Sequence, residues 1–317
     1  VTAPDPRFSA ELATLVRGEV KRDAALARYS TYRIGGPATV FSPASPEDVV
    51  VALRHAARAG VAVFPLGLGS NVLLPDEGLE ALVIRIGKGL DSVRNDGDRW
   101  WLGAGVPAPL VARKTAGLGW AGLHMMVGVP GTVGGGVFMN AGCHGGQWAD
   151  VVERVTVVSL AGDSRGVPVN EIPFTYRRSG LEGALLLETE VRLRPGDRME
   201  LAAEVERLFA WRQRGTPFNQ PCCGSVFKNP ALPKAVGWGG AWTAGSLIEA
   251  AGLKGMAIGG AEISPLHANY FVNRGEATAA DVRALIERAR AAVRDRFDVT
   301  LETEVKIIGP GGGYLHA

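Results

Sequence analysis

The sequence predicts an α+β protein folded as two domains, or as one large domain with lobes, and three observations carry that reading. A chain of 317 residues buries a sizeable core and exceeds the usual size of one domain. Helix-period and strand-period stretches alternate from Ser45 onward. The turn-rich Arg194-Pro195-Gly196-Asp197 then breaks the pattern. It divides the chain into residues 28–195 and 196–309, preceded by an arm (1–27) and followed by a loose tail (310–317).

Taken in order, the arm reads as an amphipathic helix through Leu12, Leu15, Val16 and Val20. Ser45-Pro46-Glu47-Asp48 starts a helix, with a capping serine, a proline in the first turn and acids facing the dipole. Its buried stripe is Val49, Leu53, Ala56 and Ala57, and Gly60 ends it. Val61–Leu66, Ala81–Ile86 and Trp100–Ala104 read as strands, the last two joined through the turn Asn95-Asp96-Gly97-Asp98. A helix from Pro107 to Ala116, with Leu110 and Val111 inward, precedes Gly117-Leu118-Gly119-Trp120-Ala121-Gly122. That run spells G-x-G-x-x-G, but the motif needs a strand before it, so it is rejected as a dinucleotide site.

Strands Val151–Leu160, Arg165–Val169 and Leu185–Leu193 follow, and then a helix over Leu201–Arg214. Beyond a Pro/Cys/Gly loop come an insertion (Ala231–Trp242), a helix near Ser246–Ala251 and strand-like Ala268–Val272. A strongly marked helix then has Thr278 as cap, Asp281 three residues on, and Val282, Leu285, Ile286, Ala289 and Val293 inward. Val299–Ile308 closes the fold as an alternating strand.

Two stretches point to anion binding. Gly128–Gly142 holds six glycines in fifteen residues. Pro130-Gly131 suits a turn, and Thr132 can cap a short helix starting at Val133. Unpaired N–H groups at such a helix start, bare of side chains, would cradle a phosphate or diphosphate. A structural glycine turn is the alternative. The apolar run Val61–Leu66 empties into Gly67-Leu68-Gly69-Ser70-Asn71, a second loop of oxyanion-binding type. Two such loops can grip a diphosphate from both sides.

Composition excludes several classes. Net charge is +2 with both signs interspersed and no basic run, which speaks against nucleic acid. Neither a signal-peptide core nor a membrane-spanning apolar run is present in the sequence. Cys143, Cys222 and Cys223 cannot all pair, which suits a reducing cytoplasm. The five histidines are scattered without metal-ligand spacing, so no metal site is expected.

Other candidate chemistry is read with its alternative beside it. Glu302, Glu304 and Lys306 share one face of the closing strand, either solvated or lining a cleft. Ser225, after Gly224 at a loop-to-strand step, lacks the second glycine of a nucleophile elbow. It is either a proton donor or an ordinary edge serine. Tyr176-Arg177-Arg178-Ser179 either clamps an anion or lies on the surface.

Together these stretches resemble the UDP-N-acetylenolpyruvoylglucosamine reductase family. The resemblance rests on Tyr32-Arg33-Ile34-Gly35-Gly36-Pro37-Ala38, Leu66–Leu73, Gly128–Gly142 and Tyr176–Ser179. It continues through Gly224–Pro230, Leu247–Gly255, His267-Ala268-Asn269 and Leu301–Gly309. These motifs stand in the family's order across residues 28–309. With no long tyrosine-bearing insertion after Tyr176-Arg177, the chain resembles the shorter subtype.

The resemblance implies an FAD-binding module of the vanillyl-alcohol-oxidase (PCMH) type, made of two α/β subdomains, over 28–195. A C-terminal α+β substrate-binding domain follows over 196–309. It implies non-covalent FAD held by Gly67, Leu68, Gly69, Ser70, Asn71, Gly128, Pro130, Gly131, Thr132, Gly134, Gly135, Asn140, Ala141 and Gly142. Ser225 would be the general acid, with Arg177 and Glu304 stabilising the intermediate. Tyr176, Asn229, His267 and Arg214 would contact the UDP-sugar.

The implied reaction is ping-pong reduction, with NADPH as co-substrate, of the enolpyruvyl ether of UDP-N-acetylglucosamine to UDP-N-acetylmuramate, a step in peptidoglycan precursor synthesis. The implied state is a cytoplasmic monomer acting on a small molecule, with no nucleic-acid or membrane partner. The competing readings are another FAD-dependent oxidase or dehydrogenase of the same superfamily, and a nucleotide-sugar-binding protein without redox chemistry.

Overall fold

The computed structural model describes residues 3–231 and 241–315, and the chain is α+β in two units that interleave along the sequence. One unit takes Val1–Ala24, Ala38–Leu68 and Leu79–Arg212; the other takes Ala25–Pro37, Gly69–Gly78 and Gln213–Ala317.

In the first unit, α1 (Pro6–Leu15) is capped by Asp5, whose carboxylate accepts the Phe8 N–H at 2.7 Å. The helical arm expected to residue 27 stops at Leu15, which is exposed. The reason is a distant side chain. In α2 (Pro46–Ala59), the buried Asp48 carboxylate accepts N–H bonds from Arg17 (3.2 Å), Gly18 and Ala44 (2.9 Å each), and this pulls the chain out of helix. Glu19–Ala25 then runs as a strand. The buried stripe of α2 contains Val49, Leu53 and Ala56 as expected, but Ala57 is exposed. Ser45 stands at the N-cap without a side-chain cap bond.

A four-stranded sheet has the order Glu19–Ala25, Pro37–Ser42, Leu82–Arg85, Val63–Leu66, and its last three strands pair in parallel. Leu82, Val83 and Ile84 are all buried, the unbroken apolar run of a strand covered on both faces. A five-stranded antiparallel sheet has the order Ser164–Pro168, Val152–Ser159, Ala184–Arg192, Arg99–Gly103, Val93–Asp96. In α3 (Ala108–Gly117) Val111 is buried, whereas Leu110, expected inward, is exposed. The next helix, α4 (Val133–Phe138), is short and glycine-rich for a packing reason. A Cβ on Gly136 would stand 2.3 Å from Nε1 of the buried Trp148, so only glycine fits there. The longer α5 (Arg198–Gly215) buries Val205 and Leu208 in the same core. The last segment of this unit runs to Arg212, within α5.

The second unit packs α6 (Ala244–Ala250) and α7 (Ala279–Phe297) with a three-stranded antiparallel sheet, Ala257–Ile258, Ala261–Ile263 and Phe271–Asn273. Thr278 and Asp281 form the expected capping box on α7, and Val282, Leu285, Ile286, Ala289 and Val293 are buried. Asp76 adds a second cap, its Oδ1 accepting from Ala279 N–H at 2.8 Å. The closing segment is not one strand. Lys306–Ile307 pairs in parallel with Val72–Leu73, while Thr303 bridges Phe227. Its alternation survives as burial, with Val299, Leu301, Val305 and Ile307 inside. The tail, expected to be loose, folds back as a turn: Leu315 N–H donates to Ile307 C=O at 2.8 Å, and Lys306 lies 5.5 Å from the Tyr314 ring centroid. Most of the Ala231–Trp242 insertion, residues 232–240, lies outside the described residues.

Among the described residues no helix is long and apolar enough to cross a membrane, and no group of three or more His, Cys, Asp or Glu side chains could hold a metal ion. The three cysteines are free.

Candidate active site

In the first unit the strand Val63–Leu66 delivers Gly67 and Leu68 against the Gly131–Thr132 turn. A Cβ on Gly67 would meet the Thr132 hydroxyl oxygen at 2.9 Å, so the two loops are in contact only because one of them is glycine. Thr132 caps α4 as expected, its hydroxyl accepting from Gly135 N–H at 3.2 Å.

The donors of this cradle differ from those expected at a helix start. Val133 N–H donates to Val106 C=O (2.8 Å) and Gly134 N–H to Ala104 C=O (2.9 Å), so the helix terminus is already satisfied by the fold. The N–H groups of Gly67, Leu68, Gly131 and Thr132 have no partner among the described residues. Two unpaired N–H donors on each of two touching loops are the kind of group that holds a diphosphate such as that of FAD.

The rest of the glycine stretch serves the scaffold. Gly128 backs onto Arg212, whose Cγ would be 3.0 Å from a Cβ there, and Pro130 is exposed. Gly134 packs on Ala104, and Gly135 is exposed. Ala141 C=O accepts from Trp148 N–H at 3.1 Å. Asn140, with φ of 41°, uses its side chain on Gln147, Thr175 and Ala149.

Tyr176 and Arg177 form the tip of a tight turn closed by Thr175 and Arg178, which exchange backbone bonds of 2.9 and 3.2 Å. Arg177 has φ of 58°; its guanidinium donates to Gly142 C=O at 2.9 Å and lies over the exposed Tyr176 ring. Burial pushes the neighbouring Cys143 thiol up, against the opposing pull of Arg212 and Arg177, so two cations face this end of the loop.

In the second unit Ser225 is held through the residue that follows it. Val226 N–H donates to Asn269 C=O, and Val226 C=O accepts from Glu304 N–H, both at 2.8 Å. The buried Asn269 side chain then grips Phe227 twice, accepting its N–H (2.9 Å) and donating to its C=O (2.8 Å). The half-buried Ser225 hydroxyl makes no hydrogen bond among the described residues, which leaves its proton available. Burial, then Cys222, pushes the Cys223 thiol well up, and the Glu304 charge acts in the same sense, which places that carboxylate within electrostatic reach of Cys223.

The loop Gly69-Ser70-Asn71 reaches the same patch. Gly69 C=O accepts from Thr31 N–H at 3.1 Å, and a Cβ on Gly224 would lie 3.8 Å from Ser70 C=O. Asn71 donates to Glu304 C=O at 3.2 Å. Asn229 and His267 meet at the first turn of α6: Asn229 Oδ1 accepts from Ala244 N–H at 3.1 Å, and a Cβ on Gly245 would be 2.9 Å from the His267 ring. Arg214 is exposed in the last turn of α5 and makes no bond among the described residues.

Residues 37–165 match the FAD binding domain family, and residues 216–308 match the C-terminal domain of UDP-N-acetylenolpyruvoylglucosamine reductase. The UDP-N-acetylenolpyruvoylglucosamine reductase of Halalkalibacterium halodurans is 39% identical over 301 residues, covering 94% of this chain and 97% of its own. That of Rubrobacter xylanophilus is 41% identical over 301 residues, covering 91% and 95%. The chain belongs to the UDP-N-acetylenolpyruvoylglucosamine reductase family.

The fold agrees with the crystal structure of the Thermus caldophilus UDP-N-acetylenolpyruvylglucosamine reductase, with a TM-score of 0.76 at 32% identity over 92% of this chain and 99% of that one. Membership of the reductase family makes the chain an FAD-dependent oxidoreductase. The sequence reading assigned no role to Asn269, although it singled out the His267-Ala268-Asn269 motif. The pattern that betrays such a residue is an amide between apolar neighbours, where both faces of the backbone are already buried.

Proposed function

We propose that the chain reduces the enolpyruvyl ether of UDP-N-acetylglucosamine to UDP-N-acetylmuramate with electrons from NADPH, for peptidoglycan precursor synthesis. Residues 28–195 hold FAD and 196–309 hold the UDP-sugar. The observation that carries the catalytic assignment is the seating of Ser225, its backbone neighbour bonded to Glu304 and its hydroxyl uncommitted.

The cradle of Gly67, Leu68, Gly131 and Thr132 holds the FAD diphosphate, with the rest of the Gly128–Gly142 stretch as its scaffold; Gly69, Ser70 and Asn71 are further contacts to the cofactor. Bound FAD supplies two-electron transfer from NADPH to the enolpyruvyl double bond. Addition of hydride there leaves negative charge on the carbon beside the carboxylate. Arg177 supplies positive charge where that charge develops, and Glu304 helps to stabilise the intermediate. The Ser225 hydroxyl gives its proton to that carbon. Tyr176, Asn229, His267 and Arg214 orient the UDP-sugar. The protein acts as a cytoplasmic monomer, in keeping with its three free cysteines.

The test is stepwise and anaerobic. NADPH should bleach the flavin absorbance of the purified protein, and the enolpyruvyl UDP-sugar should restore it. Bleaching without restoration would move the protein to another substrate of the same flavoprotein superfamily. A protein that takes up no FAD would be a nucleotide-sugar binder.

A further inference from the structure

We infer that Asn140 is a positioning residue for Arg177, not a contact to the cofactor. The inference rests on the proposed role of Arg177 at the developing charge. Asn140 is 1% exposed, and its side-chain amide is spoken for. One Nδ2 hydrogen bond goes to Thr175 C=O (2.9 Å) and one to Gln147 Oε1 (3.0 Å), while Oδ1 accepts from Ala149 N–H (3.0 Å). A primary amide has two N–H donors, so none is left for a phosphate oxygen.

The bond to Thr175 is the consequential one. Thr175 and Arg178 close the turn whose tip carries Tyr176 and Arg177, so a tether on the Thr175 carbonyl fixes the base of that turn. A second tether stands on the other side, where Ser179 Oγ donates to Phe138 C=O at 2.7 Å. Arg177 then completes the frame through Gly142 C=O. The segment Phe138–Gly142 thus holds the arginine turn at three points, and Asn140 is the buried one in the middle. Its backbone narrows the choice of residue. At φ of 41° glycine, asparagine and aspartate are favoured, and only asparagine among them donates two hydrogen bonds.

The experiment uses the FAD-loaded enzyme and follows its two half-reactions separately. Asn140→Asp keeps the size, the tolerance of positive φ and the acceptor for Ala149, and loses both donors. It should retain FAD with an unchanged spectrum and an unchanged rate of reduction by NADPH. Reoxidation by the enolpyruvyl UDP-sugar should slow about 10- to 100-fold, the cost typical of a charge displaced by an ångström. The deficit should shrink as pH falls and the new carboxyl gains a proton to donate to Thr175. Combined with Arg177→Ala, it should add nothing to the loss caused by Arg177→Ala alone. Asn140→Gly, which accepts the same φ, serves the same measurements if the aspartate variant does not fold.

Weakened FAD binding with normal reoxidation of the loaded fraction would overturn the inference, as would losses that multiply in the double variant. If Arg177→Ala itself leaves reoxidation intact, it is the role of Arg177 that fails. If Arg177→Ala slows reoxidation and the Asn140 variants do not, only the positioning role fails.

Discussion

Gly67 lies so close to Thr132 that a methyl group there would stand 2.9 Å from the hydroxyl oxygen. This contact joins the two glycine loops that the sequence separates, each of which carries two backbone N–H groups without a partner among the described residues. The atom in the way belongs to a buried threonine whose hydroxyl caps α4, so a methyl group there must disturb that cap or spread the two loops.

Gly67→Ala is therefore expected to lower apoprotein stability modestly, because the buried Thr132 must shift to admit the methyl group. FAD affinity should fall by about tenfold or more, equivalent to about 1.4 kcal/mol. Fluorescence titration of the apoprotein with FAD measures it. An unchanged dissociation constant would remove this contact from the cofactor site.

Ser225→Ala should leave reduction by NADPH nearly intact and slow reoxidation by the UDP-sugar by about 10²–10⁴-fold, the range for losing a positioned proton donor. Glu304→Gln should also keep FAD and fail in the second half-reaction. Stopped-flow absorbance resolves the two steps. Equal loss in both would refute the serine as proton donor.

Asn269→Ala should destabilise the second unit, because the N–H and C=O of Phe227 lose their partners inside a core. Each buried group left unpaired costs about 1–3 kcal/mol. Thermal unfolding should show a drop of several degrees. A variant that melts like the parent would mean that water replaces the amide.

Asp281→Ala should cost about 1 kcal/mol through loss of the α7 cap. The Thr278 N–H bond holds the Asp281 carboxyl below its usual range, against a smaller opposing effect of burial, with help from Gly260 N–H. A carboxyl lowered in the folded state stabilises above its unfolded pKa and loses that effect as pH falls through the folded one. The stability gap between parent and variant should hold constant from pH 6 to 8 and narrow below about pH 4. Denaturant titrations across that range test the sign.

What the sequence revealed depended on how local the cause was. The α7 cap was legible because Thr278 and Asp281 are three residues apart and their interaction needs nothing else. The Thr132 cap was legible for the same reason. Glu19–Ala25 was not, since its mostly exposed face has no apolar alternation and its start is set by Asp48, far along the chain. The closing segment misled in the opposite direction. Its alternation is real, yet its backbone bonds are divided among Val226, Asn71 and Leu73, so no single ladder forms. The unpaired donors were displaced two residues upstream, because Ala104 and Val106 had already taken the helix start.

The interleaving of the two units sets the order in which the molecule can come together. Asp76 caps α7, Val72–Leu73 pairs with Lys306–Ile307, and Tyr32 C=O accepts from Asn273, so early segments are completed only by the last third of the chain. During synthesis those segments emerge long before their mates and must stay open until α7 and Lys306–Ile307 have been made. A fragment starting at Gln213 would lack a strand, a helix cap and part of its core, so this C-terminal third is not a portable domain.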